Sequence, residues 1–251
     1  MRGCFLEDLT WDEAEEQFAA GRPVLVPVGA FAKEHGLHLP LKTDSVIARH
    51  LAKSIAEALP VVVAPVVGFG YYPAFADYPG SQHLSAETFI ALISEILIGF
   101  VDHGVRRLAV LNTGYSTEAP LRLSARAVLE KRGVSVAIAD LRQLGQRSRA
   151  RLRQSSGGGH ADEHETSLML AIEPAAVRHE RALRVEERAR ADTAPWTQPG
   201  MLSRDPNHPD YSPSGATGDP ALANAQLGRE FLEEMVSELI NGLRRLYPDL
   251  D

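Results

Sequence analysis

Short, valine-rich apolar runs alternate with amphipathic segments along the first half of the chain. The runs are PVLVPVGA, VVVAPVV, RLAVLN and VSVAIADL. Each is too short for a typical helix and rich in β-branched residues, which predicts a buried strand. Strands that alternate with helices form parallel β-α-β units, and helices cover both faces of such a sheet. The pattern therefore predicts an α/β fold with a mainly parallel central sheet.

The segments between these runs have apolar residues at three- and four-residue intervals, which predicts helices. Thr10 and Glu13 have the spacing of a capping box, so a first helix is expected from there to about Ala20. Further helices are predicted at 45–59, 85–103, 120–132 and 221–246, and the segment HADEHETSLMLAI predicts one more.

The second half of the chain is less regular. The basic segment RQLGQRSRARLRQSSGGG predicts a mobile loop, with residues 157–159 as a hinge. The strongly charged segment HERALRVEERARAD predicts a solvated face, and the proline-rich residues 193–220 predict a long ordered loop.

Composition narrows the class of protein. A length of 251 residues with 44% apolar content suits one sizeable core, so a single domain over 1–251 is expected. The formal charge of −7 argues against nucleic-acid binding. The sequence has no apolar run of about 20 residues that would span a membrane. The single cysteine, Cys4, and the acidic N-terminal segment favour a cytoplasmic location.

Two segments concentrate side chains that bind metals. AKEHGLHLPLKTD contains Glu34, His35, His38 and Asp44, and GGGHADEHET contains His160, Asp162, Glu163, His164 and Glu165. These oxygen and nitrogen donors suit zinc, manganese or iron(II). The first segment follows a predicted strand, and sites of open α/β sheets form at the carboxyl ends of strands. A metal site is the hypothesis, and solvated or hydrogen-bonded side chains are the alternative.

Two other segments have more than one interpretation. The loop GFGYYPAFADYPG contains Tyr72 and four other aromatic residues, which either sandwich a planar substrate or pack a loop or subunit interface. Arg147, Arg149, Arg151 and Arg153 form a basic strip. The strip either attracts an anionic substrate or is a solvated surface.

The segment VPVGAFAKEHGLHLPLKTD resembles the signature of the creatininase family, P-V-G-x-x-E-Q-H-G-x-H-L-P-L-x-T-D. The segments YPGS, HADEHETS and GATGDP resemble further family elements in the same order. The resemblance implies a three-layer α/β/α fold, homo-oligomeric assembly and metal-dependent hydrolysis of an amide, often a cyclic amide or formamide. It also implies one or two divalent ions, Zn²⁺, Mn²⁺ or Fe²⁺, in each subunit.

The resemblance further implies roles for individual residues. Glu34, His35 and Asp44 correspond to metal ligands, with the aspartate bridging two ions. His160 matches a proton-transfer histidine, and Glu165 matches a glutamate that completes the metal shell or orients His160. His38 is either a recruited ligand or a partner that orients Asp44. Apart from the resemblance, Tyr72, Tyr115 and Ser116 are the candidate substrate-binding residues.

Two departures from the family pattern stand out in the sequence. Glu34 directly precedes His35, whereas the family separates its glutamate and histidine by one residue. Gly114 and Ser116, in NTGYSTEAP, stand where the family has a ligand histidine and creatininase has a glutamate. The first hypothesis is a metal-dependent amidohydrolase that cleaves a C–N bond of a small, non-peptide molecule other than creatinine. The alternative is a non-catalytic protein of the same fold that binds a small ligand or partner.

Overall fold

A computed structural model describes residues 2–155, 158–183 and 200–250. Its sheet has five parallel strands in the order β1-β3-β2-β4-β5. The strands are β1 (Cys4–Phe5), β2 (Val24–Val28), β3 (Val62–Val63), β4 (Leu108–Asn112) and β5 (Val136–Asp140). The predicted parallel sheet is confirmed. The second predicted strand is shortened to β3 because Pro65, which has no N–H to donate, interrupts its apolar run.

Seven helices accompany the sheet within the described residues. They are α1 (Trp11–Ala19), α2 (Thr43–Ala58), α3 (Ala86–Asp102), α4 (Glu118–Arg132), α5 (Gln146–Leu152), α6 (Glu163–Ile172) and α7 (Ala225–Leu246). The capping box at Thr10 is formed as predicted, and Ser85 and Asn224 cap α3 and α7 through their side-chain oxygens. None of the described helices has the length and apolar character needed to span a membrane.

Alternating side chains of the strands pack into two separate hydrophobic cores, one on each face of the sheet. Val24 and Val26 of β2 point toward α3 and α4, whereas Leu25 between them points toward α2, α6 and α7. The first core includes Phe89, Ile93, Leu121 and Val128, and the second includes Leu51, Ile55, Leu168 and Phe231. The predicted three-layer α/β/α sandwich is therefore confirmed.

The expectation of a mobile loop after β5 is wrong for residues 146–152, which form α5. Glu234 of α7 accepts hydrogen bonds from the backbone N–H groups of Arg147 and Ser148 at the start of this helix. A carboxylate at this position satisfies free N–H groups and interacts favourably with the helix dipole. Arg147 and Arg151 also form ion pairs with Glu234 and Glu230.

The remaining predictions for the second half concern segments that the structure describes only in part. Residues 200–219 form the expected loop, which includes a bridge between Ser203 and Tyr211. Residue 157 of the expected hinge, residues 184–192 of the charged segment and residues 193–199 of the proline-rich segment lie outside the described part of the chain.

Candidate active site

The candidate site lies where the carboxyl ends of β2 and β4 meet the amino ends of α2 and α6. The loop after β2 carries Lys33, Glu34 and His35, and Asp44 lies in the first turn of α2. The segment that leads into α6 carries His160, and Glu165 lies in the first turn of α6. Chain segments that are far apart in sequence thus converge at the sheet edge where sites of α/β proteins form.

Asp44 is the centre of the first group of polar contacts. Its Oδ1 lies 2.9 Å from His35 Nε2, and its Oδ2 accepts a hydrogen bond from Lys33 Nζ at 2.8 Å. Burial alone would raise the pKa of Asp44, but the charges and hydrogen bonds of Lys33 and His35 outweigh it and hold that pKa below its usual value. Asp44 is therefore an anion that is fully buried and fully partnered.

Glu34 and His160 form a second buried pair. His160 Nε2 lies 2.5 Å from Glu34 Oε1, and Glu34 Oε2 accepts a hydrogen bond from the backbone N–H of Gly36 at 2.9 Å. Burial opposes charge on both groups, yet their mutual attraction raises the pKa of His160 and lowers that of Glu34. The structure thus brings Glu34 to His160 rather than to Asp44.

A strained backbone positions Glu165. Ala161 has a φ of +48°, in the left-handed region that residues other than glycine adopt only at a cost. This conformation directs its N–H to Glu165 Oε2 at 2.6 Å. The same carboxylate oxygen lies 3.8 Å from His160 Nδ1. Asp162 caps the helix by accepting hydrogen bonds from the N–H groups of His164 and Glu165.

Three buried side chains approach one another closely enough to share a metal ion. His35, His160 and Glu165 each offer one ligand atom, and these atoms all lie within 4.8 Å of one another. Two imidazoles and a carboxylate form the donor set of many catalytic zinc sites, which leave a further position open. The residues present therefore fit one divalent ion.

Lys33 is a site residue that sequence reasoning missed. Its side chain is only 5% exposed, and its ammonium lies 5.0 Å from the ring centroid of Phe75. Burial by itself would lower the pKa of Lys33, but the carboxylates of Asp44, Glu165 and Glu34 raise it above its usual value. The sequence contained a signal for this residue. Counting back from His35 without a gap places Lys33 where the family signature has its glutamate.

The other predicted donors have different surroundings. His38 Nε2 lies 2.8 Å from Thr166 Oγ1, and burial with the nearby His35 lowers the pKa of His38 to about 4. His164 Nδ1 accepts a hydrogen bond from Arg149, and Glu163 accepts hydrogen bonds from the N–H groups of Gln154 and Ser155. A ligand role for His38 stays a prediction.

A cavity adjoins Asp44 and is lined by two of the three candidate substrate-binding residues. Its lining includes Lys33, Gly114, Ser116, Thr117 and Tyr72. The Tyr72 hydroxyl donates to backbone carbonyl oxygens, and burial raises its pKa to about 12. Tyr115 is exposed, lies under the guanidinium of Arg142 and lines a neighbouring cavity.

The fold and the buried donor cluster define an α/β protein with a candidate metal centre, and sequence comparison identifies the family. The profile described as "Creatininase: Creatinine amidohydrolase" matches residues 7–243, so the chain belongs to the creatininase family. The resemblance seen in the sequence is confirmed. Glu34, His35, Asp44, His160 and Glu165 all lie at the same edge of the sheet, but their individual roles stay predictions.

Three relatives have different substrates in their names. The chain is 26% identical to the creatinine amidohydrolase of Pseudomonas putida, with 98% of each chain covered. It is 27% identical to the mycofactocin precursor peptide peptidase of Mycobacterium ulcerans, over 91% of this chain and 87% of the relative. It is 24% identical to the 3-dehydro-scyllo-inosose hydrolase of Thermotoga maritima, over 94% and 81%.

Solved creatininases share the fold. A manganese form superposes with a TM-score of 0.85 and 24% identity, covering 98% of this chain and 99% of the other. A mutant creatininase of the Zn-Zn type gives a TM-score of 0.86 and 23% identity, covering 99% and 100%.

Proposed function

We propose that this chain is a hydrolase that cleaves a C–N bond, in an amide, cyclic amide or formamide, of a small non-peptide molecule. One divalent ion, Zn²⁺, Mn²⁺ or Fe²⁺, is held by His35, His160 and Glu165. The observation that carries the proposal is the convergence of these three buried donors. The creatinine amidohydrolase relative supports it.

The hydrogen bonds of both histidines suit a role as metal ligands. His35 Nδ1 lies 2.9 Å from the carbonyl oxygen of Lys33, and His160 Nε2 lies 2.5 Å from Glu34 Oε1. A metal-binding histidine usually donates its second N–H to such an oxygen, which fixes its tautomer and ring orientation. His160 Nδ1 is then available to an ion, and His35 Nε2 becomes available when it gives up its contact with Asp44 Oδ1.

The protein groups around this position have separate tasks. Glu34 holds the His160 ring, and the Ala161 N–H holds the Glu165 carboxylate. When bound, a divalent ion supplies Lewis-acid chemistry for hydrolysis. Ligation through Nδ1 leaves His160 one N–H, which Glu34 already accepts. The proton-transfer role implied for His160 by the family resemblance therefore competes with the ligand role proposed here.

The test is the metal content of chelator-treated protein after reloading with Zn²⁺ or Mn²⁺. We expect about one equivalent per chain and a rise in thermal stability, because a ligand that binds only the folded state stabilises it. Glu165→Gln should lower the metal content. The control, Glu163→Gln in the same helical turn, should retain it, because Glu163 binds backbone N–H groups instead.

Activity is then measured on a panel of small cyclic amides and formamides by following release of the amine. Turnover should disappear on chelation and return on reloading. Less than about 0.2 equivalents of bound metal, with no stabilisation by added ions, would contradict the proposal. Creatinine is expected to be a poor substrate because Gly114 and Ser116 replace the ligand histidine and glutamate.

A non-catalytic binding protein is the second candidate. In each of the pairs Lys33–Asp44 and Glu34–His160, the two partners neutralise each other's charge without an ion, which favours this alternative. Such a protein would bind a small molecule in the Tyr72 or Tyr115 cavity without turnover and without metal.

A further inference from the structure

Two departures from the family signature meet at one oxygen atom. Lys33 Nζ lies 2.8 Å from Asp44 Oδ2. A Cβ built on Gly114 would lie 3.8 Å from the same Oδ2. When the family signature is aligned on His35, its glutamate falls at Lys33, and a separate family element has a ligand histidine at Gly114. The changes at Lys33 and Gly114 therefore affect the same side of the Asp44 carboxylate.

The other side of this carboxylate keeps its histidine. Asp44 Oδ1 lies 2.9 Å from His35 Nε2, and His35 belongs to the three-donor cluster with His160 and Glu165. One oxygen of Asp44 thus faces a group that can bind an ion, whereas the other faces an ammonium. The two halves of the site have different chemistry.

The ammonium of Lys33 has the surroundings that a metal ion requires. It is buried, it contacts Asp44, and Glu165 and Glu34 add favourable electrostatic interactions. A buried charge is costly unless opposite charges compensate for it, and these carboxylates do so. A divalent ion at the same oxygen would be repelled by the ammonium and would find no imidazole at Gly114.

We propose that Lys33 is a built-in cation that replaces a second divalent ion at Asp44. The centre then combines one metal ion with one ammonium, and the ammonium faces the cavity that also contains Gly114, Ser116 and Thr117. In this position it presents positive charge to an oxygen atom of a bound substrate. The ion at His35, His160 and Glu165 rests on the proposed function, but the replacement at Asp44 Oδ2 does not.

The experiment counts Mn²⁺ ions bound to four proteins by equilibrium dialysis and elemental analysis. These are the wild type, Lys33→Glu, Lys33→Gln and the control Lys42→Gln. Lys42 lies in the same loop but pairs with Glu173 at the surface. We expect one ion for the wild type and the control. Lys33→Glu restores the signature carboxylate and should bind one more ion than the wild type.

Lys33→Gln removes the charge without adding a ligand, so it should bind the additional ion weakly. This variant decides the matter if Lys33→Glu does not fold, as judged by circular dichroism. No ion in the wild type and one in Lys33→Glu would support the replacement while refuting the proposed function. Two ions in the wild type, or no additional ion in either folded Lys33 variant, would overturn the inference.

Discussion

Gly215→Ala should disturb the candidate site by displacing the Glu34 carboxylate. Gly215 has a φ of +83°, and a Cβ at this residue would lie 1.9 Å from Glu34 Oε2. Ordinary contact distances are roughly 3.5 Å, so the carboxylate must retreat by about 1.5 Å. That movement breaks the contacts of Glu34 with His160 and with the N–H of Gly36.

The expected loss of unfolding free energy in Gly215→Ala has two contributions. A left-handed alanine costs about 1–2 kcal/mol. Loss of one or both charge-assisted hydrogen bonds of Glu34 adds about 2–3 kcal/mol. Because Glu34 holds the ring of a proposed metal ligand, metal affinity should fall by roughly 10–100-fold.

The matched control is Gly133→Ala. Gly133 has a similar φ of +69°, and a Cβ at this residue would meet nothing within 4 Å beyond its chain neighbours. Denaturant unfolding and Zn²⁺ titration of both variants separate the cost of a left-handed alanine from the loss of the Glu34 contacts. Equal stability losses and unchanged metal affinity in both variants would refute the assigned role of Glu34.

Three further changes have defined outcomes. Asp44→Ala removes the carboxylate that contacts the buried ammonium of Lys33, so the free energy of unfolding should fall by about 3–5 kcal/mol. Lys33→Met in the same chain should recover part of this loss, and a purely additive double variant would contradict the pairing. Glu234→Gln should flatten the acid limb of stability, because the contacts at α5 lower the pKa of Glu234 to about 2. Its contribution, about 1–2 kcal/mol after solvent screening, is present above the ordinary pKa and is lost as pH falls toward 2; Glu233→Gln is the exposed control, and equal acid profiles for the two variants would be inconsistent with this role. Ala161→Gly removes the left-handed strain and should leave stability within about 1 kcal/mol of the wild type, whereas Ala161→Val should lose at least about 2 kcal/mol; equal losses, measured by urea unfolding, would argue against strain at Ala161.

Most of the sheet was predictable because local periodicity determines which face of each strand and helix is buried. Strand β1 was missed because two residues carry no periodic signal. Helix α5 was missed for another reason. Its residues include three arginines and no apolar stripe, and its amino end is held by Glu234, which lies more than eighty positions further along the chain.

The sequence predicted which segments form the site, but it did not predict which side chains contact one another there. His35, His160 and Glu165 came from two sequence segments whose convergence follows from the parallel topology. Lys33 was missed because lysine is not an ordinary metal ligand. Its position nevertheless coincides with the glutamate of the family signature when residues are counted back from His35. The approach of Gly215 to Glu34 could not be predicted, because it depends on a loop that packs from the far end of the chain.

Anomalous diffraction from Mn²⁺- or Zn²⁺-loaded crystals would show directly where an ion binds. We expect one peak, surrounded by His35, His160 and Glu165, with the Lys33 ammonium still in contact with Asp44 Oδ2. A peak beside Asp44 Oδ2 with Lys33 displaced, or no peak between the three donors, would contradict this expectation.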